Sequence, residues 1–438
     1  MRAFRRALLL IGFLAEACDG VPRPKPSPGP PSPPSTGVSA SLRRVRLVAH
    51  SGEGVPLHPA RGSSEVSGRV PGGIEVEVVS ESPDGRWLEI RTQDGRRGFI
   101  TARYVAGAKD AADAPLRPAP SPSAWDSLAG CEAAVRAGER LAKAQHTARI
   151  ASYNVRWFPD GKPGKGRDGE GTDVAWLACG IAWLDAEAVA VQEFKTNERG
   201  RAALAELTRK LDQLTGGRWA SSFDDCPSPD VQHVGILFDE KRVKHDQPTT
   251  VAQLNPHGEA CKNSLRPGHG AYLTFPGGLD LFLISVHSKS GSDARSYDLR
   301  QKTLAAFSSL GKALKRPDGD SDIVVAGDFN TMGCDRCTPA LSADDELERT
   351  DRALGPSFRR VVAAQDSCSE YHAGRPASLD HFVVTTALRE LTPGRAPMVS
   401  GYCAALHCSV GPDEPPPAAR ALSDHCPLVL DFEDRDLD

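Results

Sequence analysis

Aromatic residues, long apolar runs and clustered positive charge are all scarce in this 438-residue chain. Only 6 % of its residues are aromatic and no apolar hairpin gathers them, so no loop stands out as one that would dip into a lipid surface. The apolar run near the amino terminus, "ALLLIGFLA", falls well short of the roughly 20 residues a membrane helix needs. The absence of a basic tract excludes a stable, high-affinity nucleic-acid binder, because such binding rests on neutralising phosphates. An enzyme that only turns nucleic acid over needs no such tract. A CxxC pair occurs once, at Cys334 and Cys337, so the second half of a four-thiolate zinc site is missing. No internal repeat is visible.

What the chain has in excess is proline, with 35 residues, and cysteine, with 11. Net charge is −4, with the amino-terminal part basic and the carboxy-terminal part acidic. Arg2, Arg5 and Arg6 followed by the short apolar run read as an export signal over residues 1–18. Ala17 before Cys18 resembles the bacterial lipoprotein cleavage site, in which the cysteine becomes lipidated. Ala15 and Glu16 depart from that pattern, and ordinary signal cleavage nearby is the alternative. With Cys18 set aside, ten cysteines remain, an even number that in an exported chain implies up to five disulfides. Cys179, inside "VAWLACGIAWL", could instead be a reduced core thiol. The pair Cys334–Cys337 reads as disulfide-forming rather than zinc-binding.

Composition divides the rest. Residues 19–40 are a proline-rich linker, extended and unable to pack. Residues 41–106 alternate apolar and polar residues between Gly, Pro and Asp-Gly turns, which predicts a small all-β barrel. Residues 107–124 form a second linker, and helical spacing follows over 125–147. From 148 to 434 strand-like and helical runs alternate in a larger α/β-layered domain. In the small unit, "GRWLEIRTQDGRRGFITARYV" resembles a bacterial Src-homology-3-like domain. That resemblance implies a cell-wall peptide or protein ligand, or a spacer role.

In the larger domain a polar residue closes or opens one strand after another. "ASYNV" ends in Asn154, "AVAVQEF" in Glu193, "FLISVHS" in His287 and "VVAGDFN" in Asp328 and Asn330. "SLDHFVV" opens with Asp380, and "LSDHCPLVL" with Asp424 and His425. Each alone is a common turn residue. Six sets in a row are not explained by turns.

In their order these motifs resemble the endonuclease/exonuclease/phosphatase superfamily over residues 148–434. The resemblance implies an α+β fold, a deoxyribonuclease I-like two-sheet β-sandwich flanked by helices, with the site at one end. It also implies Mg²⁺, with Mn²⁺ or Ca²⁺ as substitutes, since a hard cation offsets the charge of a phosphodiester. Glu193 and Asn154 are the expected ligands, with Asp424 as a further one. His425 is the expected general base, oriented by Asp380. Asp328 would position the nucleophile, while Asn330 and His287 would hydrogen-bond the phosphate or the leaving oxygen. His381 would add a polar group near the site. Cys368, ahead of "SLDHF", suggests by the same resemblance a bridge to the Cys334–Cys337 loop.

The resulting expectation is an exported, lipid-anchored phosphodiesterase with transient nucleic acid as substrate, DNA before RNA. The alternatives are a sphingomyelinase-type phospholipase or phosphatase of the same superfamily, and a non-catalytic envelope-binding protein.

Overall fold

The computed structural model describes residues 43–47, 54–61, 63, 66–81, 87–101, 104–105, 122–161, 171–266, 268–314, 322–363, 367–391, 394–412 and 414–437. The export segment, Cys18, and the proline-rich stretches 19–40 and 107–121 lie outside them.

Alternation in the amino-terminal module produces strands β1 (Arg44–Arg46), β2 (Val55–Leu57), β3 (Gly68–Val70), β4 (Glu75–Glu81), β5 (Trp87–Arg91) and β6 (Arg97–Thr101). Val76 and Val78, Leu88 and Ile90, and Ile100 point inward with a period of two. The antiparallel sheet β1-β4-β5-β6 and the hairpin β2-β3 enclose that core. Gly98 is required where the hairpin crosses the sheet, because a Cβ there would lie 2.5 Å from the Leu57 side chain.

The helix expected over 125–147 is two shorter ones, α1 (Pro122–Asp126) and α2 (Leu128–Arg136). Ser127 breaks the run by capping the second, its side chain accepting from the Gly130 amide. Gly138, at φ 83°, follows its end.

The larger domain continues with β7 (Thr147–Phe158), α3 (Val174–Leu184), β8 (Ala188–Phe194), α4 (Glu198–Thr215), β9 (Trp219–Phe223) and β10 (His233–Asp239). Next come β11 (Lys244–Val251), β12 (Gly268–Thr274), β13 (Asp280–His287), α5 (Ala294–Ala305), α6 (Phe307–Ala313) and β14 (Ile323–Asp328). The chain closes with α7 (Ala343–Ala353), β15 (Phe358–Val361), β16 (Glu370–His372), β17 (Arg375–Ala377), β18 (Asp380–Thr385), β19 (Met398–Val399), α8 (Tyr402–Leu406), α9 (Pro417–Ala421) and β20 (Leu428–Glu433).

Two six-stranded sheets, ordered β19-β20-β7-β8-β10-β9 and β11-β12-β13-β14-β18-β15, pack face to face. The expected two-sheet sandwich flanked by helices is therefore present. Its inner strands are buried on both faces, unlike the exposed edge strand β11, yet they obey the strand period. Ile150, Ala188 and Ala190 meet Leu281, Leu283, Val324 and Ala326 between the sheets. Their neighbours in sequence turn outward: Ala151, Tyr153, Val189 and Val191 pack under α3, and Phe282, Ile284 and Val325 pack under α5 and α6. Burial of this kind, at roughly 25 cal/mol per Å² of apolar surface, is the main stabilising contribution.

All ten described cysteines are bonded, as Cys131–Cys179, Cys226–Cys261, Cys334–Cys337, Cys368–Cys408 and Cys403–Cys426. Cys179 is thus not a free core thiol, and Cys334–Cys337 closes on itself. Cys368, just ahead of β16, bridges to Cys408, just after α8, rather than to the CxxC loop. No helix among the described residues is long and apolar enough to cross a membrane.

Candidate active site

The parallel pairs β7/β8 and β13/β14 both end at one edge of the sandwich, and their last residues meet there. Asn154 Nδ2 donates to Glu193 Oε1 at 3.2 Å and to Asp328 Oδ2 at 3.0 Å, joining the two sheets. His287 pairs in register with Asp328. Its Nε2 lies 3.4 Å from Asp328 Oδ2 and 3.7 Å from Glu193 Oε1.

Local backbone irregularity aims these groups. After Asn154 the β7/β8 register shifts, with Arg156 and Trp157 at φ 33° and 53°. The shift turns the Trp157 amide onto Glu193 Oε2 at 3.0 Å. Glu193 itself sits at φ 67°. Strained non-glycine residues of this kind cluster where geometry is functional. Gly327 is dictated by the parallel neighbour, because a Cβ there would lie 2.0 Å from the Val286 carbonyl oxygen. Asn330, at φ 52°, donates its amide to Asp328 Oδ1 at 2.8 Å and its side-chain Nδ2 to Ser288 O at 3.2 Å.

Across the site, His425 Nδ1 lies 2.8 Å from Asp380 Oδ2, and His425 Nε2 lies 3.7 Å from Asp328 Oδ2. Ser423 fixes this turn: its hydroxyl donates to Asn154 O at 2.8 Å and accepts from the His425 amide at 3.1 Å. The Ser369 hydroxyl accepts from the Asp380 amide at 3.1 Å.

Six of the expected residues therefore converge: Asn154, Glu193, His287, Asp328, Asp380 and His425. Asn330 stands beside them on the Asp328 loop. Asp424 is turned to a neighbouring cluster, where its Oδ2 lies 3.7 Å from His372 Nδ1 and Glu370 stands close by. In the turn before β20, His425 points to Asp380 while Asp424 points to His372. In β18, adjacent residues face opposite ways. This alternation sends His381 away from Asp380. Its Nε2 lies 3.0 Å from Thr331 Oγ1 and its ring edge meets Phe329.

Sequence reading missed Arg266. It lies on the loop before β12, near enough to Glu193, Asp328 and Asp224 for their charges to act on its guanidinium. Its buried Nε has no hydrogen-bond partner among the described residues. "RPGHG" reads as an ordinary turn, and no signal in the sequence would have placed it at the site.

Burial and charge set the protonation states. Burial pushes Asp328 up to about 7, with Asp380 adding to the rise and His425 opposing it. Burial also drives His287 well below the usual imidazole range, and Arg266 and His425 reinforce this, so its ring is neutral. His425 moves the other way: burial alone would lower it, but Asp380 and Asp328 hold it well above the usual range. Burial raises Glu370 to about 7. For Asp424, burial is outweighed by the His372 hydrogen bond and by His425, which bring it to about 2.

Residues 60–106 match the sequence family described as bacterial SH3 domain. No curated protein sequence matches the chain. Among solved structures, the fold is similar to a D. rerio TDP2 humanized by 14 mutations, at 18 % identity over 66 % of this chain and 99 % of that one, with a TM-score of 0.44. It is also similar to an endonuclease/exonuclease/phosphatase from Bacteroides vulgatus, at 15 % identity over 66 % and 98 %, with a TM-score of 0.42. A mannosyl-6-phosphatase from Bacteroides thetaiotaomicron matches at 14 % identity over 65 % and 98 %, with a TM-score of 0.41. The chain carries a bacterial SH3 domain at residues 60–106, ahead of a larger domain whose structural neighbours include endonuclease/exonuclease/phosphatase proteins.

Proposed function

We propose that the protein is an exported, metal-dependent phosphodiesterase whose substrate is nucleic acid. The observation that supports this most is the meeting of Asn154, Glu193, His287 and Asp328 with the His425–Asp380 pair at one edge of the sandwich. Glu193, Asp328 and the Asn154 amide are hard oxygen donors, and one or two carboxylates beside open water positions are what Mg²⁺ takes. Glu193 and Asn154 would hold the ion, which when bound polarises a phosphoryl oxygen and offsets its charge.

The chain's own groups account for the remaining steps. His425 Nε2, once neutral, takes a proton from water, while Asp380 fixes the Nδ1–H tautomer and stabilises the imidazolium that forms. Asp328 Oδ1 is occupied by the Asn330 amide, so Oδ2 is the oxygen facing both histidines and the one able to orient that water. Arg266 and the side-chain amide of Asn330 offset charge developing on the phosphate oxygens. Neutral His287 can donate a hydrogen bond from its ring N–H toward the leaving oxygen.

A phospholipid substrate is disfavoured by the surface. The exposed large hydrophobic residues among those described are Met332, Val410 and Leu437, single and scattered rather than gathered in a patch. Export and anchoring through Cys18 belong to this proposal, and so does a wall or protein ligand for the SH3 domain. Incubation with supercoiled plasmid, RNA, sphingomyelin and inositol phosphates, each with Mg²⁺ and with chelator, tests the reading. Chelator-sensitive plasmid nicking is expected. No turnover of any phosphodiester would overturn it.

A further inference from the structure

α7 carries the sequence "ADDELERTDRA", with Asp344, Asp345 and Glu346 in its first turn, where the helix dipole favours negative charge. Ser342 caps it, its hydroxyl meeting the Asp345 amide while the Asp345 carboxylate reaches back to the Ser342 amide. Asp344, Glu346 and Glu348 are all buried. Buried carboxylates need partners, and their spacing sends them in two directions. Asp344 and Glu348, four residues apart, share one face. Glu346 lies on the other.

Glu346 faces the active-site loops. It accepts from Arg300 Nε at 2.7 Å and Nη2 at 2.8 Å, and from the Gly333 amide at 2.7 Å. Arg300 gives its remaining donors to the carbonyls of Lys289 at 3.0 Å, Gly291 at 2.6 Å and Gly333 at 2.8 Å. All five guanidinium N–H groups are used. One buried ion pair thus ties the loop that follows His287 to the loop that follows Asn330.

The opposite face of α7 meets the SH3 module. Arg69 lies 3.7 Å from Asp344 and 3.7 Å from Asp345. His58, 1 % exposed, places Nε2 3.5 Å from Glu348 Oε1. The Thr101 hydroxyl reaches the same carboxylate at 3.5 Å. A module that only hung on a linker would have no reason to supply partners for buried acids of the other domain.

We propose that the SH3 module is a seated part of the enzyme, and that α7, held by the module on one face, positions the two active-site loops through Glu346 and Arg300 on the other. This rests on the site reading given above. Glu346 and Arg300 act as positioning residues, since they touch loop backbone rather than the reacting groups.

The test uses the full chain. A protease site is inserted in the segment between residues 107 and 120, and amide hydrogen exchange is followed over loops 288–291 and 329–334. After cleavage the module should co-elute with the larger domain. Arg69→Glu with Thr101→Glu places like charge against Asp344, Asp345 and Glu348. That variant should release the cut module, speed exchange in both loops and leave β4–β6 protected. Turnover should fall by up to about 10²-fold with little change in KM, because small misplacements of reacting groups are costly. Separation of the cut wild-type module, or loop exchange unchanged in the variant, would overturn the proposal. The exchange readout stands even if the wild type hydrolyses no phosphodiester, so the two readings fail separately.

Discussion

Nδ1 of His425 lies 2.8 Å from Oδ2 of Asp380, while the other nitrogen of the same ring faces Asp328 at 3.7 Å. One imidazole therefore sits between a carboxylate that orients it and one that shares its reaction space. Groups acting as a unit are not additive. His425→Ala should cut turnover by roughly 10²–10⁴-fold with little change in KM, Asp380→Asn should also be severe, and the double variant should be scarcely worse than His425→Ala. Steady-state kinetics on folded proteins decide it. Additive, small losses would mean that the pair only closes strands.

Arg266 brings an uncompensated donor to the edge of Glu193 and Asp328. A charged hydrogen bond to an anionic substrate is worth about 1.5–3 kcal/mol. Arg266→Ala should therefore lower kcat/KM by about 10- to 100-fold, and Arg266→Lys should restore part of it. Unchanged kinetics in Arg266→Ala would remove Arg266 from the site.

The disulfides should separate stability from activity. Cys131–Cys179 spans 48 residues and joins α2 to α3, neither of which carries a residue of the site. On the chain-entropy account such a loop is worth about 4 kcal/mol, and the three-residue separation of Cys334–Cys337 much less. Replacing Cys131 and Cys179 by Ala should lower Tm clearly and leave turnover at permissive temperature intact. Replacing Cys334 and Cys337 by Ala should lower Tm less but reduce turnover, because their loop follows Asn330. The reverse ranking in calorimetry and kinetics would refute this.

A second buried imidazole should make stability depend on pH. His233 Nδ1 lies 2.9 Å from Asp224 Oδ1, and its Nε2 lies 3.1 Å from both Thr196 Oγ1 and Ser228 O. Burial alone would lower its affinity for a proton, but the hydrogen bond and charge of Asp224 outweigh this and raise it above the usual imidazole range. A raised folded-state value gives stability that is fully present below the unfolded imidazole's value. That stability is lost as pH rises through the folded one. Urea unfolding at pH 5.5 and 8.5 should show a larger deficit for His233→Asn at the lower pH. An equal deficit at both would show that His233 stays neutral.

The strand-end polar residues were legible because each follows or precedes a run that can only be buried, so its polarity calls for a reason. The pairing of the sheets was not legible. Ile150 and Ala151 face different layers, but both layers are apolar, and alternation leaves no trace in such a strand. The break in the helix after residue 125 had visible signals in Ser127 and Gly138, outweighed by the surrounding alanines. Arg266, the His372–Asp424 pair and the seat of the module on α7 depend on segments far apart in sequence. Local pattern carries no information about them.

The two sheet orders correspond strand for strand. β19-β20-β7-β8-β10-β9 and β11-β12-β13-β14-β18-β15 each hold one parallel pair in the middle, with every other pairing antiparallel. Under this pseudo-symmetry Asn154 corresponds to His287 and Glu193 to Asp328, so each half of the domain contributes one polar pair to a common centre. A half-domain, even if it kept its own sheet, would carry an incomplete charge set and no partner across the gap. The site is in this sense an interface between halves, and separating the sheets would abolish it before either half lost its strands.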